Sequence, residues 1–183
     1  MSKIVTVNDI AMLSIGLNLS REENHYPSNS LYSTKDLESD LESSSKKTVL
    51  NPTTSEEYIT KPNDIVMSLA TKICTVVSQE NQNKILKNAF VKITLDEGKV
   101  DPWYFCYAIN VSNLFKQSIS SEVLSIVRPL TISILGNASI KLPTIENQKA
   151  IGSIYKNICR INYLNKRKQL LLSQALNNIS DKI

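Results

Sequence analysis

Glycine, histidine and cysteine are scarce in this chain, and each scarcity removes a class of architecture or chemistry. Four Gly and six Pro are too few for a sandwich or barrel with many tight turns. The one histidine, His25, sits in a polar stretch. The three cysteines, Cys74, Cys106 and Cys159, are odd in number, widely spaced and without a C-x-x-C pair. That excludes a disulfide scaffold and a zinc finger, indicates a reducing compartment, and makes the thiols core residues. There is no Cys–His or Ser–His–Asp constellation and no Gly-rich phosphate loop, and the carboxylates of the larger C-terminal part are few and scattered. The chain therefore reads as a non-enzyme with no cofactor and no metal site. No apolar run reaches the ~18 residues of a membrane span. The N-terminal stretch MSKIVTVNDIAMLSIGLNLS is too interrupted by polar residues for a secretory signal. Cytoplasm is the expected location, or a virion if the source is viral.

Acid is the other scarcity, and it is local. Between Asp101 and Asp181 the only carboxylates are Glu122 and Glu146. Residues 1–60 hold five cations against nine acids, and residues 61–183 hold sixteen against eight, so a net +4 conceals an acidic arm (−4) on a basic body (+8). Such a body attracts a polyanion, or its own arm.

What is present is chiefly helical periodicity. Pro143 ends the preceding segment, and Thr144 is a suitable N-cap for a long helix running to Ile179. Ile151, Ile154, Tyr155, Ile158, Ile161 and Leu164 recur at steps of three and four, and Leu171, Leu172, Ala175, Leu176 and Ile179 extend the stripe. At about 100° per residue, Lys149, Lys156, Arg160 and Arg167 gather opposite the stripe with Tyr163 beside them. A solvated helix surface would explain cations alone, but such surfaces usually mix signs. The row therefore reads as a phosphate-binding surface, with Lys166 and Lys168 as further contacts and Tyr163 able to stack on a base.

Along the chain, Asn8 caps a short amphipathic segment (8–18) with Ile10, Ala11, Leu13 and Leu17 on one side. Residues 20–60 are Ser-rich and read as a disordered acidic linker, within which Asp36–Glu42 is an acidic run with two leucines. Asn63 or Asp64 starts a helix with Ile65, Leu69, Ile73, Val76 and Val77. A second carries Ile85, Leu86, Ala89, Phe90 and Ile93. Asp101-Pro102 is the clearest start signal, for a nearly all-apolar helix holding Trp103, Phe105, Cys106, Ile109, Leu114 and Phe115. Ser120 or Ser121 starts another, and Leu130–Leu135 reads as a kinked helix ending at Gly136.

The expected architecture is all-α: a bundle of about five helices (61–183) behind a flexible acidic arm (1–60). The expected function is a self-associating, nucleocapsid- or coat-like protein that binds single-stranded RNA through the basic helix. The alternatives are an adaptor that binds other proteins and a peripheral membrane-surface protein.

Overall fold

A hairpin of extended chain, not a helix, follows Asp64. In the computed structural model, which describes residues 2–19, 26–42, 56–96, 98–120 and 130–180, the strands are β1 (Lys3–Thr6), β2 (Ala11–Ile15), β3 (Ile65–Ser68), β4 (Cys74–Val76), β5 (Phe90–Leu95) and β6 (Ser139–Leu142). The helices are α1 (Thr34–Glu42), α2 (Pro102–Asn110), α3 (Asn113–Ser120), α4 (Ile132–Asn137) and α5 (Ile145–Ser180). The all-α expectation is therefore wrong: the fold is α+β with two antiparallel sheets, one of order β2-β5-β3-β4 and one pairing β1 with β6.

The inner part of the larger sheet, β3 with its neighbours β4 and β5, has both faces covered, which explains why these strands read as helix. Ile65 and Met67 of β3 face one apolar cluster with Cys74, Val91, Phe105 and Ile109. Val66, between them, faces a second with Tyr32, Leu37, Leu86 and Phe90. Apolar residues on both faces erase the alternation that marks a half-buried strand. The register runs Ile65 opposite Val76 on one side and Ile93 on the other, while β2 closes the far edge with Ala11 opposite Leu95. The predicted 8–18 helix is thus a 3₁₀ turn (Val7–Asp9) followed by β2.

The acidic run is helical. Ser33 and Asp36 cap α1 reciprocally: the Ser33 N–H donates to Asp36 Oδ2 at 2.9 Å and the Asp36 N–H to Ser33 Oγ at 3.3 Å. Asp36 and Asp40 are engaged within the fold, while Glu38 is exposed. Asp36 pairs with Lys84 at 2.6 Å. Asp40, 1% exposed, accepts from the Tyr32 hydroxyl (2.7 Å), Asn81 Nδ2 (2.8 Å) and the Ser78 N–H (3.2 Å). The remainder of the linker, 20–25 and 43–55, lies outside the described residues, as does the helix expected after Ser121.

Asp101-Pro102 does start a helix: Asp101 Oδ1 accepts from the Tyr104 N–H at 2.8 Å with Pro102 in the first turn. α2 stops at Asn110 and α3 begins anew at Asn113. Thr131 caps α4, and the stretch between α4 and Pro143 contains β6, which pairs with β1 from Lys3–Leu142 to Thr6–Ser139.

Candidate nucleic-acid interface on the long helix

The 36 residues of α5 make a rod about 54 Å long at ~1.5 Å per residue. Its first half is fixed to the body by four residues on one side. Gln148 is 1% exposed and spends its whole amide on the backbone: Nε2 donates to Lys99 O (3.1 Å) and Pro143 O (2.9 Å), and Oε1 accepts from the Asp101 N–H (3.0 Å). Gly152 lies where α2 crosses. A Cβ there would stand 2.4 Å from Asp101 Oδ1 and 2.7 Å from the Tyr104 N, so the glycine permits backbone approach. The Tyr155 hydroxyl accepts from Asn110 Nδ2 at 2.8 Å, and Asn110 also holds the N–H and C=O of Cys74 in the sheet. Burial pushes the Tyr155 phenol well above its ordinary range. Cys159 completes the docking face, and burial likewise raises its thiol.

This face shares Tyr155 and the half-buried Ile151 with the stripe the periodicity suggested, but not the rest of it. Ile154, Ile158, Ile161, Leu164, Leu171, Leu172, Leu176 and Ile179 are exposed, Ile154 by 60% and Leu176 by 67%. Ile151, Ile154 and Ile158 instead flank an apolar groove of about 310 Å³ completed by Tyr107, Val111 and Tyr155. Apart from Ile151 and Tyr155, the apolar stripe expected to lock α5 into the body is thus a surface feature, and residues 167–179 are exposed on every side.

The cations fall into three groups. Lys149, Lys156, Arg160 and Arg167 keep one line, all exposed, with Tyr163 half-buried among them. Lys156 Nζ stands 5.4 Å from the Trp103 ring centroid, and the Arg160 guanidinium 5.4 Å from that of Tyr163. Arg160 also donates to Glu42 O at 3.5 Å. Lys166 turns toward α1 and pairs with Glu42 at 3.0 Å while remaining 72% exposed, and that partner raises its pKa. Lys168, about 100° from Arg167, sits with the apolar stripe. Trp103 joins the row although its helix reads as core; its place in the first turn after Asp101-Pro102 is the signal that it could reach the surface.

Chemistry of other kinds finds no support among the described residues. No group of three or more His, Cys, Asp or Glu is placed to hold a metal ion. No helix is long and apolar enough to cross a membrane. Cys74 Sγ and Cys106 Sγ are 3.7 Å apart in the core, and burial raises the Cys106 thiol far above the range of a reactive cysteine.

Residues 2–174 match the family model for the type I restriction modification DNA specificity domain. No curated protein matches the chain. Among solved structures, the HsdS subunit from Thermoanaerobacter tengcongensis superposes with a TM-score of 0.58 at 15% identity, over 92% of this chain and 40% of that one. A structure concerned with complex assembly and conformational transition of the type I R-M system gives 0.60 at 15% identity, over 97% of this chain and 43% of that one. The type I restriction-modification S subunit from M. genitalium gives 0.50 at 14% identity, over 94% and 41%. The chain thus spans about two fifths of the structures it resembles. These matches overturn the expected coat: a DNA specificity family replaces a nucleocapsid binding single-stranded RNA, and the expectations of a homo-oligomer and a virion fall with it.

Proposed function

Because this chain belongs to the type I restriction modification DNA specificity domain family, we propose that it is a DNA-recognition domain of a type I specificity subunit, binding duplex DNA and leaving cleavage and methyl transfer to other subunits. The observation that carries the reading is the family match across residues 2–174.

The structure suggests a division of labour along α5. The line Lys149, Lys156, Arg160 and Arg167, with Tyr163, supplies phosphate contacts, which position a protein on DNA without reading sequence. Lys166 contributes less, because Glu42 already holds it. The exposed Ile/Leu stripe and its groove against Tyr107 and Val111 serve assembly with the other parts of a type I complex. Such a protein would work in the cytoplasm, where its DNA is.

Competition binding tests the reading. The purified chain is titrated with labelled duplex from a randomised pool, against unlabelled duplex and unlabelled single-stranded RNA. Duplex should compete better, affinity should fall with salt at a log–log slope of about −0.9 per contacted phosphate, and repeated selection should enrich a sequence. Stronger competition by RNA, or a pool that stays random after selection, refutes it.

A further inference from the structure

The two ends of the four-stranded sheet differ in charge. At one end lie Asp9, Asp64, Glu80 and Asp96, beside the starts of β2 and β3 and the ends of β4 and β5, with Asp64 paired to Lys92 at 2.7 Å and Asp96 paired to Lys99. At the other are the β3–β4 turn (69–73), the segment entering β5 (86–89) and the segment leaving β2 (16–19). Those three segments contain no acid and two lysines, Lys72 and Lys87. A polyanion meets carboxylates, two of them ion-paired, at the first end, and no carboxylate in the three segments of the second.

The acid-free end is also rigid. The turn closes through Lys72 N–H to Ser68 O (2.9 Å), Ser68 N–H to Ile73 O (2.9 Å) and Thr71 N–H to Ser68 Oγ (3.2 Å). It is tied sideways by Leu69 N–H to Ala89 O (3.0 Å) and Leu130 N–H to Leu69 O (3.1 Å). The neighbouring segment is held by Asn88 N–H to Leu17 O (2.9 Å) and Leu17 N–H to Leu86 O (2.8 Å). A Cβ on Gly16 would stand 2.2 Å from Lys87 O, so these two segments meet backbone to backbone. Lys72 has φ +60°, a left-handed conformation that favours Gly or Asn.

The side chains on this platform are the short donors that base recognition uses. Thr71 and Asn88 are exposed, with Lys72 beside Thr71 and small Ala70 and Ala89 beside them. Between these loops lies an apolar recess of about 390 Å³, walled by Leu69, Ala70, Ala89 and Leu130. Asn pairs with the N6/N7 edge of adenine, Lys with O6/N7 of guanine, and an apolar recess suits the thymine methyl. Two strands joined by a tight turn fit the ≈ 12 Å width of the major groove.

We propose that the β3–β4 tip, through Thr71 and Lys72 together with the adjoining Asn88, reads base edges in the major groove of duplex DNA. This rests on the DNA-recognition reading above and assigns sequence discrimination to a surface separate from the cation row of α5.

The test uses the full chain and a randomised duplex pool, selecting in parallel with wild type, Thr71→Ala, Asn88→Ala, Lys72→Gly and the double variant Arg160→Ala/Arg167→Ala. Lys72→Gly removes the side chain while suiting the left-handed backbone, so the turn stays folded; melting curves check every variant. Wild type should enrich one motif. Asn88→Ala and Lys72→Gly should each relax one or two positions of it by roughly 5- to 150-fold in relative affinity, the range of one bidentate base contact. The Arg double variant should weaken all sequences alike and keep the motif. If wild type selects a motif and all three tip variants select the same one with undiminished preference, this inference fails and the DNA reading stands. If wild type selects none, the DNA reading fails and takes the tip with it.

Discussion

Replacing Asp40 separates two opposing effects inside the α1 anchor. The carboxylate is buried, yet three donors converge on it: Tyr32 Oη on Oδ2, and Asn81 Nδ2 and the Ser78 N–H on Oδ1. Asp40→Ala leaves all three without an acceptor. At about 1–1.5 kcal/mol each, the loss is about 3–4.5 kcal/mol, a large share of a domain's stability. Asp40→Asn keeps an acceptor for Asn81 and Ser78 and sets an amide against Tyr32, whose hydroxyl can turn to accept; its cost is about 1 kcal/mol. The two also differ in pH behaviour. Burial raises the Asp40 pKa above its ordinary value, outweighing the hydrogen bonds that lower it. The folded state therefore holds the proton more tightly than the unfolded chain. The stability this contributes is full below the unfolded pKa and is lost as pH rises through the folded one. Asn cannot titrate, so Asp40→Asn should compare worst with wild type near pH 4 and gain on it toward pH 7. Urea unfolding of wild type and both variants across that range measures this, with unchanged m-values confirming a common unfolded state. An Asn variant whose deficit stays constant or grows with pH would refute the argument, as would an Ala variant within about 1 kcal/mol of wild type.

Other outcomes follow from contacts on α5. Gly152→Ala should destabilise by about 1–3 kcal/mol, read as a lower melting temperature, because the clash with Asp101 and Tyr104 outweighs the ~1 kcal/mol that Ala contributes to helix propensity. Lys166→Ala should change stability by no more than about 0.5 kcal/mol in denaturant titration, since its pair with Glu42 is exposed. Arg160→Ala/Arg167→Ala should reduce the salt slope of duplex binding by about 2 in filter-binding or anisotropy titrations, as two phosphate contacts are removed.

The parts of the fold that the sequence announces are those with local punctuation. Thr144 and a run without Gly or Pro breaks apart from Gly152 announced α5, and Asp101-Pro102 announced α2. The sheet was hidden because β3 and β4 are buried on both faces, and because the turn between them uses Lys72 in the left-handed region where Gly or Asn would have signalled it. α1 was hidden because the partners of its acids, Lys84, Tyr32 and Asn81, are brought in by folding. For the candidate interface, wheel arithmetic placed Lys149, Lys156, Arg160 and Arg167 on one line, but it assumed that the richest apolar stripe is the buried one. The body instead grips Gln148, Gly152, Tyr155 and Cys159, a mixed set with no hydrophobic signature. Its logic is close backbone approach and hydrogen bonding, which no period in hydrophobicity records.

The crossing at Gly152 acts as a fulcrum. From there to Ser180 is about 42 Å of rod at ~1.5 Å per residue, and with residues 167–179 exposed on every side its aim is set by the grip at Gln148, Gly152, Tyr155 and Cys159 and by the contacts of Arg160 and Lys166 with Glu42. A swing of about 5° at that point carries the tip through an arc of about 4 Å, close to the width of one side chain. Small repacking under Gly152 is therefore magnified with distance, and a substitution there would redirect whatever the far end of the rod holds before it unfolded anything.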